Sequence, residues 1–284
     1  MTLSQALIYS CQQVDRVDAR MLLQYVLNVD QAFLLTHPGQ FLTDSQLEAF
    51  TQLIAQRVSG LPIAYLIGER EFYSLKFHVT DAVLIPRPET ELLIDSVLAS
   101  IPAHKKCRIL DLGTGSGAIA ITIAKYRPKS QVIAVDCSAK ALLVAKTNAQ
   151  NLGVSNISFL QGNWFDGLSS ADKFDLIASN PPYVAEHDPH LQQGDLRFEP
   201  LIALSAGEEG IACIRHLITH ASKYLVDDNA WLLFEHGYDQ AVACRQLLIE
   251  NGFTKLFSCK DLSDIIRVSG GQIIKETPDS SKLM

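Results

Sequence analysis

The sequence predicts an α/β fold: a mostly parallel sheet with helices on both faces, preceded by a small helical domain and joined to it by a β-hairpin. Three observations carry this prediction. Strand and helix patterns alternate from about residue 105 onward. A glycine-rich turn, Asp111 to Gly117, follows the first of those strands, and the first 60 residues show helical periodicity alone. At 284 residues and 48% hydrophobic content, the chain can build one large domain or two ordinary ones.

Apolar residues recur at helical spacing in three early runs: Leu3, Ala6, Leu7 and Cys11; Val17, Met21, Leu22, Tyr25 and Val26; Leu47, Phe50, Leu53, Ile54 and Val58. Thr2 with Gln5 and Thr43 with Gln46 fit capping boxes, and Gly60-Leu61-Pro62 closes the last helix. Residues 1–62 are read as a helical domain. Arg70 to Val79 alternates apolar and polar residues as a half-exposed hairpin does, and Leu84-Ile85-Pro86-Arg87-Pro88 is stiffened by its prolines into an extended segment suited to a site wall. Residues 63–90 are therefore a connector, and 91–284 the α/β domain. Within that domain the expected elements are 108–111, 118–126, 131–136, 139–152, 157–161, 174–180, 210–225, 230–235 and 240–251, with a frayed end over 276–284.

Charge and cysteines narrow the function classes. Lysine and arginine number 24 against 31 acids, a net charge of −7, and the first 80 residues hold five basic and seven acidic side chains. That argues against a strongly basic nucleic-acid binder. The six cysteines form no C-x-x-C pair and read as reduced residues, and no run approaches a membrane span. A soluble, cytoplasmic protein is expected, with no membrane partner and no direct contact with nucleic acid.

Asn180-Pro181-Pro182-Tyr183 follows the apolar strand Phe174 to Ser179 and suits the gripping of a planar NH2 group. Such a nitrogen shares its lone pair with a π system and is a poor nucleophile. The Asn180 side-chain oxygen and the Pro181 carbonyl can accept its two N–H bonds, the prolines stiffen the turn, and Tyr183 offers a face to stack on. The plainer reading is an Asn-Pro turn that merely ends a strand.

Upstream, Asp111-Leu112-Gly113-Thr114-Gly115-Ser116-Gly117 sits where a strand turns into a helix, and its glycines allow close backbone approach to a ligand. Asp136 ends the next strand, placed to accept both hydroxyls of a ribose. Gly113-x-Gly115-x-x-Ala118 with that acid also satisfies a dinucleotide fingerprint, so a nicotinamide dehydrogenase is a rival. Three features favour S-adenosylmethionine: a further glycine at 117, Asp111 as an anion near the loop to oppose the donor's cationic groups, and the planar-amine grip on the fourth strand. Trp164 either stacks on adenine or packs as a surface aromatic.

With these motifs, the chain resembles the class I S-adenosylmethionine-dependent methyltransferases and, more closely, the HemK/PrmC family of peptide chain release factor glutamine methyltransferases. The resemblance also covers Arg70 to Leu75, Ile85 to Glu91, Asp188 to Leu191 and Gly194 to Pro200. It implies a Rossmann-like catalytic domain and an N-terminal substrate-recognition domain. The implied activity is methylation of the side-chain nitrogen of the glutamine in the Gly-Gly-Gln motif of class 1 release factors. The family's donor positions fall on Gly113 through Gly117, Asp136, Trp164 and Asn180, and its amide grip on Asn180, Pro181, Pro182 and Tyr183. One departure is Ile265-Ile266, where a more polar turn is expected before Arg267.

Other features carry less. His187-Asp188-Pro189-His190 and the cysteines lack the spacing of a closed metal site, so no metal is expected. Gly270-Gly271-Gln272 spells the substrate motif within this chain, read as a terminal turn with self-methylation as a remote alternative. Glu235-His236-Gly237 ends a strand at the functional edge and is read as capping or packing. A ribosomal-protein glutamine methyltransferase, a DNA or RNA amino methyltransferase and a non-catalytic binding module are the remaining alternatives.

Overall fold

The computed structural model describes residues 1–226 and 229–273; the end expected over 276–284 lies outside the described residues. The chain begins with α1 (Leu3–Ser10), α2 (Arg16–Leu27), α3 (Gln31–Thr36), α4 (Asp44–Val58) and α5 (Ile63–Ile67). Both capping boxes form: Thr2 and Gln5, and Thr43 and Gln46, exchange side-chain to backbone hydrogen bonds at the starts of α1 and α4. These helices share their own apolar core around Leu3, Leu22, Leu23, Phe50 and Ile54. The buried face of α2 is Ala19, Leu22 and Leu23, whereas Val17 and Tyr25, expected inside, are exposed. The helices packed on α2 bury its face of Ala19, Leu22 and Leu23, and Val17 and Tyr25 lie outside that contact.

A hairpin follows, β1 (Glu69–Phe72) and β2 (Leu75–His78), in the register Glu69↔His78 to Phe72↔Leu75. Tyr73 and Ser74 both take positive φ, 52° and 59°, as a two-residue turn with the right-handed twist of its strands demands. Phe72 and Phe77 are buried with Leu93, Ile94 and Ile109, in the core of the following domain. The hairpin thus packs on the α/β unit.

The remaining elements are α6 (Glu91–Ser100), β3 (Arg108–Leu112), α7 (Ala118–Tyr126), β4 (Gln131–Asp136), α8 (Ala139–Asn151), β5 (Ile157–Gln161) and β6 (Leu176–Ser179). They are followed by α9 (Ala212–Ala221), β7 (Trp231–Glu235), α10 (Ala241–Glu250), β8 (Phe253–Lys260) and β9 (Ile266–Ile273). Strand β6 is shorter than expected; Phe174 instead forms an isolated bridge with Leu225. The sheet order is β5-β4-β3-β6-β7-β9-β8, parallel from β5 to β7 and antiparallel beyond. Connections run outward in opposite directions from β3 and β6, which makes the crevice above their carboxyl ends the place where such sheets bind ligands.

The polar turn missing at Ile265-Ile266 is supplied earlier. Asp261 Oδ1 accepts from the Ser263 and Ile265 N–H groups, and its Oδ2 accepts from Arg267 Nε at 3.0 Å. No helix among the described residues is long and apolar enough to cross a membrane.

Close packing of β9 on β7 generates a test of this arrangement. A Cβ at Gly270 would lie 2.0 Å from the Leu232 carbonyl oxygen, against backbone that cannot swing aside. Gly270→Ala should destabilise the protein by about 2–3 kcal/mol in urea unfolding, in the range of overpacked cores. An unchanged midpoint would contradict the β7–β9 packing.

Candidate active site

Register brings the functional strand ends together. Ser179 pairs with Leu112 on one side and Phe234 on the other, and Leu112 also pairs with Val135. The turns leaving β3, β4 and β6 and the end of β7 therefore meet at one edge. The Ser179 hydroxyl donates to the Leu112 carbonyl at 2.7 Å, locking the two central strands where they end.

The turn after β3 is held by the Val135 carbonyl, which accepts from both Gly113 N (2.9 Å) and Thr114 N (3.0 Å). Gly113, Gly115 and Gly117 all have positive φ, but they serve different ends. A Cβ at Gly113 or Gly115 would meet nothing within 4 Å, so both present bare backbone to open space. One at Gly117 would strike Ile121 at 2.6 Å, which makes Gly117 a packing residue where α7 begins. Thr114 and Ser116 are buried.

Two acids support this turn differently. Asp136 receives the Gly115 N–H on Oδ2 and the Ser138 N–H on Oδ1, each at 2.8 Å, and still borders the cavity. Asp111 lies behind the turn with 0% exposure, beneath the loop and outside the cavity lining. Thr114 donates to its Oδ2 at 2.6 Å. Desolvation dominates that bond and pushes the Asp111 carboxyl up to about 7.

A cavity of about 210 Å³ opens over the turn, lined by Gly113, Gly115, Asp136, Trp164, Asn180 and Pro182, with Val83 and Ile202 among its apolar walls. A second cavity of about 50 Å³ lies between the turn and Arg87 and Thr90, and Asn180 borders both. Trp164 has a positive φ of 57°, and its ring lies 5.7 Å from that of His216 while bordering the larger cavity. Trp164 thus packs against His216 and also lines the cavity. Bare glycine backbone, an acid at the next strand end and an aromatic edge fit an adenosine-bearing cation.

Asn180 Nδ2 donates to Thr90 Oγ1 at 3.0 Å, and the Thr90 hydroxyl donates to Glu235 Oε2 at 2.6 Å. Tyr183 donates its phenol proton to Glu235 Oε1 at 3.0 Å. Pro181 is buried, and its carbonyl leads into Pro182, which lines the larger cavity, while Tyr183 sits behind the lining. Burial and the Glu235 carboxylate push the Tyr183 phenol well above its ordinary value. Desolvation raises the Glu235 carboxyl, opposed by its bonds from Thr90 and Tyr183. Glu235, read from sequence as capping or packing, thus joins the turn; its signal was an acid ending the apolar strand Trp231 to Phe234. His236 is the packing residue, with Nε2 2.9 Å from Ser269 Oγ and Nδ1 2.8 Å from the Gly237 carbonyl.

Two further residues brace the wall. Asn148, 1% exposed on α8, accepts from His78 N and donates to the His78 and Ser116 carbonyls, pinning the hairpin to the glycine turn. Glu199 is buried, accepts from Ile85 N at 3.0 Å and pairs with Arg87. An amide within an apolar helix face was the available sign for Asn148; nothing local singles out Glu199. Gln272 is 5% exposed in β9 and donates to the Asn229 carbonyl, so Gly270-Gly271-Gln272 is an interior strand and not a terminal turn. His187 and His190 are exposed, and among the described residues no three histidine, cysteine or acidic side chains cluster as metal ligands. Only Cys107 and Cys244 are buried; all six cysteines are free.

Fold and site together define a methyltransferase of the doubly wound α/β class, and residues 103–227 match a methyltransferase domain family. A solved structure of similar fold is the T. thermophilus 16S rRNA N2 G1207 methyltransferase in complex with AdoMet and guanosine. It has a TM-score of 0.54 and 17% identity, covering 72% of this chain and 49% of that one. Residues 4–68 match the PrmC N-terminal domain. The release factor glutamine methyltransferases of Vibrio cholerae and Escherichia coli are each 46% identical to this chain over 90% of its length, which spans 89% and 92% of theirs. The chain belongs to the release factor glutamine methyltransferase family.

The buried Asp111 yields a pH test. Its carboxyl moves from an ordinary 3.8 to about 7 on folding, so the folded state binds the proton more tightly. The neutral form's stabilisation is complete below about pH 4 and is lost as pH rises to about 7. Asp111→Asn, which cannot ionise, should therefore gain stability relative to wild type as pH rises across that window. Urea unfolding at several pH values measures the gap, and a gap independent of pH would show that Asp111 stays charged throughout.

Proposed function

We propose that this chain transfers a methyl group from S-adenosylmethionine to the side-chain amide nitrogen of the glutamine in the Gly-Gly-Gln motif of class 1 peptide chain release factors. The observation that carries the reading is the place of Asn180, at the sheet's switch point, bordering both cavities with Nδ2 already engaged. Membership of the family supports the substrate class. The donor, when bound, supplies a methyl group on a cationic sulfur that keeps the bonding pair as the methyl leaves.

The chain's own groups do the rest. Gly113 and Gly115 leave backbone room for the donor, Asp136 retains lone pairs for ribose hydroxyls, and Trp164 offers a ring edge to adenine. Thr114 and Ser116 shape the turn and border the smaller cavity. Asp111 supports the turn from beneath through its bond from Thr114. The Asn180 side-chain oxygen and the Pro181 carbonyl accept the two amide hydrogens, which raises electron density on nitrogen as positive charge grows there. Nitrogen's lone pair forms the new N–C bond, and the extra proton leaves to water. Positioning supplies on the order of 7–11 kcal/mol, so no strong base is required. Pro182 walls the cavity and Tyr183 stiffens the grip from behind.

Specificity requires more than the pocket, because one methylene separates glutamine from asparagine and is worth only about 10- to 200-fold. Residues 1–62 are the substrate-recognition domain, 63–90 the connector and 91–284 the catalytic domain. A net charge of −7 disfavours nucleic acid as the acceptor and accords with a cytoplasmic protein substrate.

Incubation with labelled donor and, separately, release factor, ribosomal protein, RNA or DNA should place the label on the release factor glutamine. Label on a ribosomal protein or nucleic acid instead would overturn the assignment. Asn180→Ala should lower the single-turnover rate on the order of 10²- to 10³-fold, as loss of one pre-oriented polar group does. Donor affinity from calorimetry should change far less, and equal losses in both would count against an amide-gripping role.

A further inference from the structure

The hydrogen bonds behind Asn180 decide something that the family's activity leaves open: which atom of its amide faces the reacting centre. We infer that Thr90 and Glu235 are positioning residues that hold Asn180 with its oxygen, not its nitrogen, toward the acceptor. This inference rests on the methyl-transfer reading above.

Proton counting on the Thr90 hydroxyl fixes the orientation. A threonine hydroxyl has a single proton, and that of Thr90 goes to Glu235 Oε2 at 2.6 Å. Toward Asn180 the hydroxyl can then only accept, so Nδ2 is the amide atom that turns to it, at 3.0 Å. Oδ1 is left for the cavity. Were Glu235 to donate instead, the Thr90 proton would turn to Asn180 and draw in Oδ1. The site would then present an NH2 group to another NH2 group, which cannot accept a hydrogen bond from it.

Glu235 is well placed for this duty. Pairing of Ser179 with Phe234 sets it beside Asn180 on the neighbouring strand end. It is 1% exposed, and its second oxygen accepts from the Tyr183 phenol at 3.0 Å, so both ends of the Asn-Pro-Pro-Tyr turn refer to one buried carboxyl group. The surrounding charges are mixed. Arg267 of β9 favours the anion, while Glu89, in the 3-10 turn Pro88–Thr90, disfavours it. Burial raises the carboxyl most, and the two hydroxyl bonds from Thr90 and Tyr183 oppose it.

Thr90→Val removes the hydroxyl while keeping the branched shape, and Thr90→Ser keeps the hydroxyl. Thr90→Val should lower single-turnover methylation of release factor on the order of a hundredfold, with donor affinity unchanged within about threefold, while Thr90→Ser stays within about fivefold of wild type. Glu235→Gln, nearly isosteric, should resemble Thr90→Val, and Thr90→Val combined with Asn180→Ala should be no slower than Asn180→Ala alone. A second readout needs no turnover. In nitrogen-15-labelled protein, hydrogen exchange of the Asn180 side-chain NH2 should be slowed in wild type and Thr90→Ser and accelerated in Thr90→Val.

Wild-type rates in Thr90→Val, equal losses in Val and Ser variants of unchanged melting temperature, or independent effects in the double variant would overturn the inference. So would exchange insensitive to Thr90→Val. If the exchange result holds but Asn180→Ala methylates at the wild-type rate, the fault lies with the methyl-transfer reading of Asn180, and its positioning has no catalytic consequence.

Discussion

Parallel pairing of β6 between β3 and β7 is the constraint on which the site depends. Ser179 stands opposite Leu112 and Phe234 at once, so Asn180 leaves the sheet between the glycine turn and Glu235. A one-residue slip would turn every side chain of β6 to the other face. It would also remove the Ser179 bond to the Leu112 carbonyl that secures this register. All four residues of β6 are buried, so the strand has no solvent-facing side on which a slip could be tolerated.

Two buried acids flank that strand end, and their surroundings separate their roles. Asp111 receives the Thr114 hydroxyl, lies behind the donor turn, and is driven toward its neutral form by burial. Glu235 receives two hydroxyl protons and faces the polar turn. A buried carboxylate is costly unless its oxygens are satisfied. Supplying donors to Glu235 from Thr90 and Tyr183 therefore joins the segment before α6 to the turn after β6. The same economy operates at Glu199, whose oxygens take Ile85 N and Arg87 and so fasten the extended segment to the 189–200 region.

The N-terminal helices reach the site through that region. Arg57 on α4 bonds Asp18 at 2.6 Å and Asp195 at 3.0 Å, four residues before Glu199. Arg197 donates to the Ser59 carbonyl at 3.2 Å. Half-buried pairs of this kind contribute modestly to stability. Their consequence is geometric: α4 is tied to the stretch of chain, 195–202, that supplies Pro200 and Ile202 to the cavity wall.

Much of this was legible in sequence because local physics sets it. Helix starts followed from Thr-x-x-Gln spacing, the hairpin from its alternation, and the glycine turn and Asn180 from residue chemistry at strand ends. What misread did so for lack of partners: the exposed Val17 and Tyr25 and the interior Gln272 each depend on which surface arrives opposite them. Thr90, Asn148, Glu199 and Glu235 were missed as site residues for the same reason. The sequence by itself determined the strand-end chemistry and the order of elements, since hydrogen-bonding capacity and periodicity travel with the residue. Only the tertiary structure decided which donor satisfies which buried acceptor, because those pairings join residues as far apart as Thr90 and Glu235 and exist only once the sheet has closed between them.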